Sequence, residues 1–209
     1  MNRRRSAIAL GATLLMVAAA GCSMMRPGLE RNEFALQAER PGAPAAGNPG
    51  PRQATLKVGR IGLQPPYGGT SFVYRVGELR YEVDPYNGFV ASPNELLGRQ
   101  IAEWLRRAGL FAAVREPASP VTGDYVLEGL VLDLHGDIRD AGQPAAVMAM
   151  EIYVRRASAD RTLLLDRIYT QRVVIENDSP EALAQGYGVA LTRILEALER
   201  DLAALKLGG

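Results

Sequence analysis

The chain has 209 residues, 47% hydrophobic and 6% aromatic, with 24 Lys and Arg against 23 Asp and Glu. Such balance leaves no basic field to hold nucleic acid or an anionic bilayer. A single cysteine excludes an intrachain disulfide, and a single histidine excludes a histidine-rich metal site.

The first residues set the compartment. Arg3, Arg4 and Arg5 precede an apolar run from Ala7 to Ala20, followed by Gly21 and Cys22. A charged tip, an apolar run shorter than the roughly 20 residues of a spanning helix, and small residues before a thiol make up a cleaved secretory signal. Ala19-Ala20-Gly21-Cys22 resembles the lipobox of bacterial lipoproteins. That resemblance implies cleavage after residue 21, a diacylglyceryl thioether on Cys22 and an added amino-terminal acyl chain; several chains together hold a membrane far better than one. Ser23 rather than aspartate at the next position implies sorting to the outer membrane, with the domain facing the periplasm.

Residues 22–54 read as a lipid-anchored tether. It contains a short first strand at Phe34-Ala35-Leu36 and a Pro/Gly/Ala-rich loop from Arg40 to Arg52 with too little side chain to offset its ordering. Residues 55–209 form the main body of a single domain. From Thr55 to Leu63, Leu56 and Val58 have one parity and Ile61 and Leu63 the other, so a bulge at Gly59-Arg60 is predicted to return both pairs to the core. Pro65-Pro66 interrupts the ladder. Ser71 to Arg75 and Leu79 to Val83 form a hairpin around Val76-Gly77-Glu78.

Ser92-Pro93-Asn94-Glu95 predicts a capped helix start, with Leu97, Ile101, Trp104, Leu105 and Ala108 on one face and Gly109 closing the helix. After Phe111 to Arg115 come three strands. Tyr125 to Leu134 is expected to place Leu130, Leu132 and Leu134 on one side; Ala145 to Val154 aligns Met148, Met150, Ile152 and Val154; Thr162 to Ile175 is the third. Ser179-Pro180-Glu181 opens a last helix lined by Tyr187, Leu191, Ile194, Leu195, Leu198 and Leu202, with Gly186 and Gly188 marking a bend or a close approach to the sheet. These elements predict an α+β domain, a mostly antiparallel sheet with two main amphipathic helices packed on one face.

Catalytic chemistry is poorly supplied, and no cofactor or metal is expected. His135 stands alone, the serines sit in turns and caps, and the glycines at 59, 62, 68 and 69 lack a phosphate-loop lysine. Aromatic side chains gather instead around the hairpin: Tyr67, Phe72, Tyr74, Tyr81, Tyr86 and Phe89. Such rings fill a partner's pocket at small entropic cost. For Phe72 and Tyr74, packing under the first helix is the competing reading.

Leu56-Lys57-Val58-Gly59-Arg60-Ile61, Pro65-Pro66-Tyr67, Phe72-Val73-Tyr74-Arg75, Leu79-Arg80-Tyr81 and Leu127-Glu128-Gly129 together resemble the auxiliary lipoproteins of ABC-type transport systems, the PqiC-like family. The likeness runs from about Phe34 to Leu205. It departs at Asp84-Pro85-Tyr86-Asn87-Gly88-Phe89, where many relatives carry a tryptophan-rich helix start. The resemblance implies a non-enzymatic outer-membrane lipoprotein working with an MCE-domain protein, and often an inner-membrane permease and ATPase, in moving lipids between membranes. Tyr67, Tyr74, Arg75, Tyr86 and Phe89 are then the expected partner-binding residues. An outer-membrane assembly lipoprotein serving a β-barrel or glycolipid-export machine is the alternative. Helix faces set no subunit number, so a homo-oligomer stays open.

Overall fold

The computed structural model describes residues 31–42 and 52–205. The signal segment 1–21, Cys22, the tether to Glu30 and residues 43–51 of the Pro/Gly/Ala-rich loop lie outside the described residues. In chain order the elements are β1 (Asn32–Phe34), β2 (Arg52–Leu63), β3 (Ser71–Arg75), β4 (Tyr81–Phe89), α1 (Pro93–Ala108), β5 (Phe111–Arg115), β6 (Tyr125–Asp137), β7 (Ala145–Arg156), β8 (Leu163–Val174) and α2 (Pro180–Ala204).

β6 is the spine of an eight-stranded sheet. On one side it pairs with β7, and β7 with β8, in an antiparallel meander closed by surface turns. Its other edge is shared by two strands. β2 runs parallel to its first half, from Leu56↔Tyr125 to Leu63↔Val131, and β3 runs parallel to its end at Tyr74↔Gly136. The turn after Gln64, with its cis Pro65-Pro66 bond, separates these two stretches. Beyond β2 lies β5, parallel; beyond β3 lies β4, antiparallel, and then β1, parallel.

Four of the seven strand pairings are therefore parallel, which corrects the expectation of a mostly antiparallel sheet. Surface turns do join β6, β7 and β8, as expected. The chain leaves β2, however, through the hairpin and α1 before returning as β5 and β6, and a crossover of that kind brings strands back parallel. Alternation of apolar residues reports which face is buried; it carries no strand direction.

Both helices cover one face, α1 over β2 and β5 and α2 over β7 and β8. The bulge between Val58 and Ile61 is present, and Leu56, Val58 and Ile61 are all buried. Leu97, Ile101 and Leu105 of α1 and Leu191, Ile194, Leu195 and Leu198 of α2 join them, with Met148, Met150 and Ile152, in one core. Each such side chain contributes about 1.5–3 kcal/mol by leaving water. Phe72 packs under α2 rather than α1, within rings contributed by Phe34, Phe89 and Tyr187.

The helix ends differ from each other. Ser179 caps α2, its hydroxyl accepting a bond of 3.2 Å from the Ala182 amide. Ser92 makes no side-chain cap on α1; its hydroxyl donates to the Asn94 side chain. Gly109 closes α1 in the left-handed region at φ 67°. Gly186 is a close approach: a Cβ there would lie 2.6 Å from Ile175 Cγ2 and 2.7 Å from Ala146 Cβ.

Residues 35–42 cross the helices as a strap. Leu36 is buried, the Ala38 amide donates to Gln100 Oε1 at 3.0 Å, and the Glu39 amide donates to Thr192 Oγ1 at 3.0 Å. Arg40 then pairs with Glu199 at 2.8 Å, while Trp104 Nε1 donates to the same carboxylate at 2.7 Å. One carboxylate thus ties the strap to both helices.

Candidate partner-binding surface

A second bulge, at Leu132, sets up the surface opposite the helices. Val131 faces Met150 in the core, but the ladder then slips, and Leu134 rather than Leu132 faces Met148. Leu127, Val131 and Leu134 are buried beneath the helices, whereas Leu130 is only half-buried. This corrects the expected Leu130-Leu132-Leu134 face. The slip sends Asp133, His135 and Asp137 together to the face without helices.

His135 and Asp137 are buried there, as is the Tyr67 ring. Tyr67, delivered by the turn after Pro66, donates its hydroxyl to Asp133 Oδ1 at 3.2 Å and lies 3.1 Å from His135 Nδ1. With the phenol proton given to Asp133, the neutral imidazole is assigned its proton on Nδ1, donating to the phenol oxygen. The two rings stack at 6.1 Å, and Tyr81 meets the imidazole edge-on at 5.5 Å. Burial pushes the Tyr67 phenol up, aided by the Asp133 charge. Burial likewise pushes the His135 imidazole down, against the pull of Asp133 and Asp137. The group is held neutral.

Next to it, Arg139 grips Asp137 through two bonds of 2.8 and 2.9 Å, with Arg172 at 3.7 Å. The Arg139 bond holds the Asp137 carboxyl at about 2, against its burial. Arg75 lies over the Tyr81 ring at 5.8 Å and donates from Nη2 to the Glu78 carbonyl at 2.8 Å, while its buried Nε has no hydrogen-bond partner. These side chains form a hydrogen-bonded footing beneath the β3–β4 hairpin.

The hairpin itself is open, with apolar side chains exposed between the charged Glu78, Arg80 and Glu82. Tyr74 pairs with Gly136, on the side of Leu183 and α2, so Arg75 and its cross-strand partner Tyr81 face the other way, with Val73 and Val83. Leu79, in the turn, is 94% exposed, and Val83, Tyr86 and Tyr81 are 58%, 49% and 38% exposed. Tyr86 stands on a loop-like stretch of β4 fixed by Asp84, which accepts amide bonds from Tyr86 and Asn87 at 2.8 and 3.0 Å. β1 covers β4 only at Asn87, Gly88 and Phe89, so among the described residues the edge from Tyr81 to Tyr86 meets no further strand.

The structure distributes the five expected partner residues over four environments. Tyr67 and Arg75 are brought together in the footing. Tyr74 is half-buried toward α2, and burial raises its phenol. Tyr86 is exposed at the rim, whereas Phe89, 3% exposed, is a core ring against Phe72 and Tyr187 and presents nothing to a partner. Leu79 and Val83 belong to the rim and were readable only as hairpin residues; their signal is apolar residues beside a tight turn. Elsewhere, an open groove of about 820 Å³ runs along the outer side of α2, lined by Phe34, Gln37, Pro41 and Val189.

No protein-family model matches the chain, and no curated protein sequence matches it. Among solved structures, the protein XCC0632 from Xanthomonas campestris, of family DUF330, is similar with TM-score 0.66 and 18% identity, over 81% of this chain and 91% of that one. An uncharacterized protein is similar at TM-score 0.65 and 14% identity, over 82% and 98% of the two chains. The chain thus has the fold of small proteins that carry no assigned activity.

Within that fold, the described residues bring no three His, Cys, Asp or Glu side chains together in a metal-holding arrangement. No described helix is long and apolar enough to cross a membrane. The footing holds a histidine, a tyrosine and a carboxylate in contact. What the surface offers is an exposed apolar rim on a hydrogen-bonded base.

Proposed function

We propose that this chain is a non-enzymatic outer-membrane lipoprotein that docks the periplasmic end of an ABC/MCE-type lipid transport assembly through the β3–β4 hairpin. The observation that carries the reading is the rim of Leu79, Tyr81, Val83 and Tyr86, apolar and exposed above the Tyr67–His135–Asp137 footing. Contact hot spots are enriched in tyrosine, which Tyr81 and Tyr86 supply, and a pre-organised rim avoids much of the ordering cost of binding. The lipobox-like run ending at Cys22 supports anchorage at the membrane. The docking role needs no covalent chemistry from this chain; any energy for transport comes from an ATPase subunit.

Photoreactive side chains placed at Tyr81, Val83 and Tyr86 in native membranes test this reading. Capture of an MCE-domain protein, weakened in a Cys22→Ala control, is the expected result. Capture of only a β-barrel assembly factor overturns it in favour of an assembly lipoprotein.

A further inference from the structure

β8 ends the sheet on the side away from the hairpin. It pairs with β7, and among the described residues its outer edge meets no strand. Long edges are ordinarily blunted by bulges, proline, charged side chains or short length. β8 carries an irregularity at Leu164 and the charged Asp166, Arg167 and Arg172, but its ladder with β7 is unbroken from Leu165 to Val174, and no proline or glycine occurs in it. Ile168 and Val174 are 56% and 57% exposed on the face without helices.

We propose that β8 is a self-pairing edge, on which the β8 of a second copy of this chain docks antiparallel about a two-fold axis at Tyr169, making one continuous sheet. A two-fold axis perpendicular to the sheet keeps the helices of both copies on one side. Residues opposite each other must then point to the same face, which restricts the register to steps of two residues. Centred on Tyr169, Asp166 of each copy lies opposite Arg172 of the other, Leu165 meets Val173, and Ile168 meets Thr170. Neighbouring registers lose this match. Centred on Ile168, Asp166 meets Thr170; centred on Thr170, Arg172 meets Ile168 and Asp166 meets Val174.

The charge pairing is repeated by symmetry, and opposite charges directly across a ladder are favourable whereas a charge against an aliphatic side chain gains nothing. A single strand edge is smaller than a standard interface of about 1,600 Å². The dimer is accordingly concentration-dependent, and its charge pairs make it weaker at high salt. It uses the sheet edge opposite the hairpin and does not depend on the docking role.

The test is disulfide trapping of the full chain in native membranes. Two differently tagged copies, one carrying Ile168→Cys and one Thr170→Cys, are co-expressed, with Ala112→Cys on β5 as the exposed control. A mixed disulfide dimer about tenfold above the control is expected, reduced by Asp166→Arg and restored by Asp166→Arg with Arg172→Asp. Because Arg172 also faces Asp137, the trap in the otherwise unaltered chain is decisive should the double variant fold poorly. Trapping at the control level, trapping insensitive to Asp166→Arg, or capture of a different protein at Ile168 each overturns the proposal.

Discussion

The Tyr67 phenol oxygen lies 3.1 Å from Nδ1 of His135, joining a turn that follows β2 to a strand 68 residues further along. Through Asp133, which accepts the phenol proton at 3.2 Å, the contact fixes where the hairpin begins relative to β6. The only histidine of the chain is therefore a structural pivot under the exposed rim.

Its titration is the first expectation. The folded state holds His135 below its ordinary value, chiefly by burial, so the unfolded chain binds the extra proton more readily. Stability is then complete above the unfolded value of about 6.5 and declines as pH falls below it. Urea unfolding between pH 7.5 and 5, in steps of about half a unit, will show this decline, and His135→Gln will flatten it. The single imidazole signal in NMR will titrate below its value in the unfolded chain.

Tyr67→Phe removes the phenol bond while keeping the ring stack. A net loss of about 0.5–1.5 kcal/mol is expected, read as a lower urea midpoint at unchanged slope. An accompanying shift of the His135 titration separates this effect from general loosening. Tyr187→Phe makes a useful contrast: its hydroxyl is fully buried with no hydrogen-bond partner, so removal will be neutral or stabilising.

Asp137 is held at about 2 by Arg139, against 3.8 for the free carboxyl. A depressed carboxyl contributes its stability above the unfolded value and loses it as pH falls from about 4 toward 2. The contribution at neutral pH is about 2 kcal/mol from that shift. Asp137→Asn will remove it and leave the stability of the variant flatter across that acid range, as followed by circular dichroism.

Gly186→Val will press a branched side chain into Ile175 and Ala146, where even a Cβ has 2.6 to 2.7 Å. Overpacking of this kind costs about 1–3 kcal/mol, a fall of several degrees in Tm. Glu199→Ala releases Arg40 and Trp104 together, and faster hydrogen exchange at Ala38 and Glu39 is the expected readout.

Much of this fold was legible because burial leaves periodic traces. The face of α1 and the phase change at Gly59-Arg60 both appear in the order of apolar residues, as does the meander from β6 to β8. Three features left no such trace. The parallel course of β2 and β3 along β6 depends on a crossover, and a strand pattern reads the same in either direction. The slip at Leu132 sits in a run of alternating leucines that suits an unbroken strand equally well, and missing it put Leu130 rather than Val131 on the buried face. The Ser92 hydroxyl donates to the Asn94 side chain and accepts no helix amide, an orientation that the capping pattern does not report. At the site, an aromatic-rich hairpin was readable, but sorting Phe89 into the core and Leu79 to the surface needed the register of β4 with β1 and β3.

The central claim is that the hairpin rim docks a transport assembly. Affinity isolation of the tagged full chain from native membranes tests it most directly, comparing the unaltered protein with Leu79→Asp/Val83→Asp and with Ile168→Asp. Charging the rim is expected to deplete a co-purifying MCE-domain protein by tenfold or more, about 1.4 kcal/mol of contact free energy, while Ile168→Asp retains it. Equal recovery with the charged rim, or no MCE-domain protein with the unaltered chain, would contradict the account.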